Sequence, residues 1–196
     1  MQINVNQFGR QLQGNSSGRN DFGLLCNQMA CAQHGEVVFL DFSGVHSVNS
    51  SWLNTAIGPL FRWASESQND YYPVFSKFPP EDVDELELVA SINRQCYLIC
   101  DTQAKLAGTV IVVGSLDPGL KDTMERVCEA GEATGAELAR QAPDAKIQAT
   151  AWNNRLRDLF IKRLLLRRKE GRQQVYYPVT KSIVFYDERR SHAANN

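Results

Sequence analysis

Hydrophobic and polar positions alternate along the opening MQINVNQF, the period of two that a half-buried strand requires. Gly, Ser and Asn then crowd GRQLQGNSSGRNDFG, which predicts a loop over residues 9–23. The period lengthens to that of a helix in DFGLLCNQMACAQHG, where Phe22, Leu25, Met29 and Ala32 share one face and Gly35 is placed to end it. The unbroken apolar run VVFLDF predicts a strand covered on both faces. After the turn SGVHSVNSS, the segment SWLNTAIGPLFRWASES carries Leu53, Ile57, Leu60, Phe61 and Ala64 on one helical face, with a kink expected at Gly58-Pro59. A strand YYPVFSKF, an acidic helix PEDVDELELVASINRQ with Pro80 near its start, and the strands CYLICD and AGTVIVVG follow. Strands and helices thus alternate through residue 114, the order of an α/β sandwich.

The pattern changes at SLDPGLKDTMERVCEAG, where Asp117 is placed as an N-cap, Pro118 as the first helical residue, and Leu120, Met124 and Val127 form the apolar stripe. In TGAELARQA, Thr134 and Glu137 have the spacing of a capping box. A third helix is predicted from about Thr150 to Lys162, with Trp152, Leu156, Leu159 and Phe160 facing the core. The remaining LLLRRKEGRQQVYYPV reads as two strands about a turn at Glu170-Gly171.

Charge separates the two patterns further. Residues 146–196 hold 12 of the 21 Lys and Arg but only 4 of the 22 Asp and Glu, so the net charge of −1 divides into −9 and +8. A basic C-terminal part attached to an acidic N-terminal part points to a polyanion as partner of the former, or to contact between the two. On the third helix, Thr150, Asn154 and Arg157 point away from the apolar stripe with Asn153 on the flank, residue types that bond base edges and phosphates. Arg167, Arg168, Lys169 and Arg172 cluster at the hairpin tip, where they suit phosphate contact or a solvated cationic surface.

Other chemistry finds less support. The five cysteines (Cys26, Cys31, Cys96, Cys100, Cys128) include no CxxC pair and no histidine at ligand spacing, so buried reduced thiols are expected and no metal site. Asp41, His46 and Ser50 supply the residue types of an acid, base and nucleophile, but no GxSxG turn accompanies them, so no enzymatic activity is expected. The glycine-rich loop lacks the GK[ST] ending of a phosphate cradle, and no cofactor is expected. No apolar run approaches the ~20 residues needed to cross a bilayer and no leader opens the chain, so a cytoplasmic protein without membrane contact is expected.

The segment VVFLDFSGVHSVNSSWLNTAIGPLF resembles a sulfate-transporter and anti-sigma-antagonist (STAS) domain, particularly the STAS-like subgroup: a buried strand, the turn DFSGV, paired serines and an apolar helix. In partner-switching members the serine opening that helix is phosphorylated by a kinase partner, a role the resemblance assigns by position to Ser50, with Asn49 and Trp52 where those members carry Asp and Gly. The residues alone give Ser50 and Ser51 as helix caps. Residues 116–179 resemble the winged helix-turn-helix of bacterial and archaeal transcription regulators, with Arg163 where a glycine often stands.

Together these resemblances imply an α/β (α+β) STAS-like domain over residues 1–114, with a mixed sheet flanked by helices. A small winged helix-turn-helix is implied over 115–183, and 184–196 read as a disordered tail. The expected function is a prokaryotic regulator that binds duplex DNA, as a homodimer on paired half-sites if it follows that family. The alternative is an adaptor that binds proteins, an ATPase or kinase among them.

Overall fold

The computed structural model describes residues 1–101, 108–143 and 147–187, and the chain divides into two compact units. The first comprises Met1–Ser115 and the chain from Val184 onward; the second is Leu116–Ile183.

The first unit runs β1 (Gln2–Asn4), β2 (Gln11–Leu12), α1 (Asn15–Met29), β3 (Val37–Asp41), β4 (Ser47–Val48), α2 (Ser50–Ser65), β5 (Tyr72–Ser76), α3 (Val83–Asn93), β6 (Tyr97–Cys100) and β7 (Val110–Val113). It is joined by β10 (Ile183–Phe185). The main sheet has the order β1-β3-β5-β6-β7-β10; β1, β3, β5 and β6 are parallel, and β7 is antiparallel to β6. Leu40, Leu53, Ile57, Leu60, Leu86 and Val89 are fully buried in one core, with Phe75 in ring contact with Phe42, Phe61, Phe78 and Tyr97.

Pro73 sits in β5, an inner strand, where its missing N–H should break the ladder. The register explains its tolerance: Tyr72 donates to Glu36 on the β3 side, so Pro73 faces β6, whose pairing with β5 begins only at Phe75. On β3, Val37 and Phe39 are half-buried, so the cover expected on both faces of that strand is incomplete.

Most of the loop expected over residues 9–23 is instead β2 and the first turns of α1. The buried face of α1 is Gly18, Asp21, Leu25 and Met29, which keeps helical spacing but uses two residues that no hydrophobic pattern counts. Gly18 permits close approach to α2: a Cβ there would lie 2.2 Å from Thr55 Oγ1 and 2.9 Å from the Trp52 carbonyl oxygen. Helix α2 continues as one element from Ser50 to Ser65 with Gly58 and Pro59 inside it.

Part of the tail expected over 184–196 is ordered. Val184 and Phe185 lie on β10 at the sheet edge beside β7, where Phe185 is buried, and the Tyr186 hydroxyl donates to Asp84 at 2.8 Å. The apolar run Ile-Val-Phe supplies the reason, being able to pair and bury against an open edge. Residues 188–196 lie outside the described residues.

The second unit consists of α4 (Pro118–Ala130), α5 (Gly135–Gln141), α6 (Ala149–Ile161) and an antiparallel hairpin of β8 (Leu165–Glu170) and β9 (Gln173–Pro178). Asp117 caps α4 by accepting the Leu120 N–H at 3.0 Å, and Thr134 and Glu137 form the reciprocal capping box of α5. Gly171 takes φ +59 at the first position of the two-residue hairpin turn, with Arg172 beside it. A single antiparallel bridge joins Ala133, between α4 and α5, to Tyr176 on β9, with N–H to O distances of 2.8 and 2.9 Å. Arg163 adopts the left-handed conformation itself (φ +61), buried with its guanidinium 5.3 Å from the Phe160 ring centre.

Candidate functional site

Trp152, Leu156 and Leu159 bury one side of α6, which turns Thr150, Asn153, Asn154 and Arg157 outward to solvent. These four do not play equal parts. The Asn153 carboxamide oxygen accepts the Gly135 N–H at 3.2 Å, and a Cβ at Gly135 would lie 2.4 Å from that oxygen. Asn153 therefore seats α6 against the start of α5 while remaining exposed as a residue. The side chains of Thr150, Asn154 and Arg157 make no hydrogen bond or ion pair with another described residue, and they share their surface with Asp158 and Ile161.

Side chains alternate across the hairpin, so Arg167 and Lys169 project to one face and Arg168 to the other. The Arg167 guanidinium lies 4.0 Å from the Phe160 ring centre, which places this cation at the junction of α6 and the hairpin. Lys169 and Arg172 are exposed at the tip and form no ion pair with another described residue. Arg168 differs from both. Its Nη2 donates to Glu132 at 2.7 Å and its Nε to Glu170 at 2.7 Å, and the two carboxylates hold its pKa above the ordinary arginine range. The cationic surface that remains open is therefore Arg157 with Arg167, Lys169 and Arg172.

Hydrophobic periodicity did not mark Glu132, Arg126 or Arg155. Arg126 and Arg155 lie over the Trp152 ring at 5.8 and 5.1 Å, and Arg126 also donates to Asp122 one helical turn away. The Asp122/Arg126 spacing is the one sequence signal for this arrangement. Glu132 has no local signal, because its partner is 36 residues away in sequence.

In the first unit the N-terminus of α2 collects acidic side chains. Asn49, not Ser50 or Ser51, caps the helix: its side-chain oxygen accepts from Trp52 N–H at 3.0 Å and from the Ser51 hydroxyl at 2.7 Å. Ser50 donates its N–H to Glu85 at 2.8 Å and Val48 donates its N–H to Asp82 at 2.7 Å. Carboxylates thus occupy the positive end of the helix, the position where a phosphate is otherwise well accommodated. Ser50 is half-buried.

Nearby, buried Asp41 accepts from Gln2 Nε2 at 2.9 Å and from the N–H and hydroxyl of Ser43 at 3.1 and 2.7 Å. His46 is exposed, with its backbone N–H given to the Arg10 carbonyl. No hydrogen bond joins Asp41, His46 and Ser50 among the described residues.

Residues 24–68 match the family described as a STAS-like domain of unknown function (DUF4325). They span the latter half of α1, β3, β4 and α2, and enclose the strand, DFSGV turn and apolar helix that carry the resemblance. The mixed sheet flanked by helices fits a STAS-like fold, and the match lies wholly within the first unit. No curated protein and no solved structure matches the chain. No described helix is long and apolar enough to cross a membrane.

Proposed function

We propose that the second unit is a winged helix that binds duplex DNA, and that the chain is a prokaryotic regulator whose STAS-like unit receives the signal. The observation carrying this reading is the open cationic surface shared by α6 and the hairpin. Arg157 on the helix and Lys169 and Arg172 on the hairpin are exposed without a described ionic partner, and Arg167 sits where the two elements meet. The sequence of elements supports it: three helices, a one-residue bridge from the α4–α5 connection into β9, then the hairpin. In this arrangement α6 enters the major groove, where Asn154 and Arg157 offer bonds to base edges, and the hairpin follows the backbone. A dimer on paired half-sites is part of the same reading.

The test is charge reversal. Lys169→Glu/Arg172→Glu should abolish duplex binding by the full chain while leaving its thermal midpoint within a few degrees, because both side chains are exposed. Unchanged binding in that variant overturns the assignment of the hairpin.

A protein adaptor is the second reading, favoured by α3, where Leu88 and Ile92 lie one turn apart and are 51% and 61% exposed. Apolar side chains so placed suit a protein partner such as an ATPase or kinase. Capture of such a partner by the full chain, lost in Leu88→Asp, supports this reading; binding that survives the substitution removes α3 from it.

A further inference from the structure

Of the hairpin cations, Arg168 is set apart by its partners. Glu170 belongs to the same strand two residues on, so that pair travels with the hairpin. Glu132 does not: it lies in the α4–α5 connection, next to Ala133, whose bridge to Tyr176 brings that connection alongside β9. Arg168 therefore reaches over β9, passing its guanidinium above the Tyr177 ring at 5.5 Å, to meet a carboxylate on the far side. The three groups together carry a net charge of −1, and while the contact holds it engages the Nε and Nη2 donors of Arg168 that a phosphate would take. All three side chains are between 40% and 56% exposed, and an ion pair in that setting is weak enough for a phosphate to displace.

We propose that Glu132 is an internal competitor for DNA: its carboxylate holds the Arg168 guanidinium in the free protein and yields it to a backbone phosphate on binding. The proposal rests on the DNA reading above. Glu132 thereby lowers affinity for duplexes in general, since a phosphate contact reads no sequence, and sets a threshold that only sites with good base contacts pass.

The experiment measures binding of the full chain to a fluorescent random-sequence duplex across a salt series, for the wild type, Glu132→Gln, Arg168→Gln, the double variant, and Glu129→Gln as a control that removes a nearby exposed acid at the end of α4. Glu132→Gln should bind about two- to fivefold tighter, the range an exposed ion pair spans. Arg168→Gln should bind more weakly and lower the slope of log K against log salt by about 0.9, one phosphate contact. In the double variant the gain from Glu132→Gln should vanish.

Three results overturn the proposal: a gain no larger than that of Glu129→Gln, a gain that persists without Arg168, or an Arg168→Gln variant with unchanged affinity and slope. In each of these the wild type still binds. If the wild type binds no duplex even at low salt, the DNA reading itself fails and takes the proposal with it. Thermal melts of every variant separate loss of contact from loss of fold.

Discussion

Asp21 accepts the indole N–H of Trp52 at 2.7 Å with both side chains buried, so a carboxylate forms part of the contact between α1 and α2. The Ser17 hydroxyl donates to the same carboxylate oxygen at 3.2 Å. Removing the acceptor leaves a buried indole N–H unsatisfied, whereas an amide retains an oxygen. Asp21→Ala should therefore lower the unfolding free energy by about 2 kcal/mol and Asp21→Asn by distinctly less. Urea titrations followed by tryptophan fluorescence measure both; equal losses would show that the carboxylate charge, and not the acceptor, matters.

Ser50 gives its amide to Glu85, so a negative charge added at Ser50 meets one already in place. Ser50→Asp should lower the thermal midpoint by roughly 2–4 °C, about 1 kcal/mol for a chain of this size. Substituting Glu85→Gln in the same chain should reverse the loss, since aspartate at the start of a helix is favourable once its rival is gone. The reversal, read as a double-mutant cycle, is the decisive observation. A phosphate at Ser50 would meet Glu85 in the same way, and Ser50→Asp without a shift would exclude that route.

Burial pushes the thiols of Cys26, Cys100 and Cys128 up from 9.0 to about 11, and raises the Tyr97 phenol well above its ordinary 10.0. Each of these groups holds its proton more firmly in the folded chain than in the unfolded one. The unfolded state therefore releases protons first as pH rises past 9.0, and stability is lost between there and about 11. Below 9.0 this contribution is fully present. The urea midpoint at about pH 10 should fall below its neutral value, and less so in Cys→Ala variants when each is compared with itself at the two pH values.

How far the sequence discloses this molecule depends on what each element buries. The face of α2 follows hydrophobic spacing and is legible, as are the caps at Asp117 and the box of Thr134 and Glu137, because those signals are local. The first turns of α1 are not, since Gly18 and Asp21 make its contact through close approach and a hydrogen bond across 31 residues. Asn154 and Arg157 were legible as outward residues from the helical period alone. The tethers on Asn153 and Arg168 were not, because Gly135 and Glu132 come to them only through tertiary contact.

Under the proposed function, the open cations of α6 and the hairpin bind duplex DNA. Its most direct test is fluorescence anisotropy of the full wild-type chain against its own upstream DNA and a random duplex, titrated with salt. The expected result is binding to both at low salt with a steep loss as salt rises, retention only of the upstream duplex at about 0.15 M, and loss of both in Arg157→Glu. Absence of binding at low salt, or binding indifferent to salt and to Arg157, would contradict it.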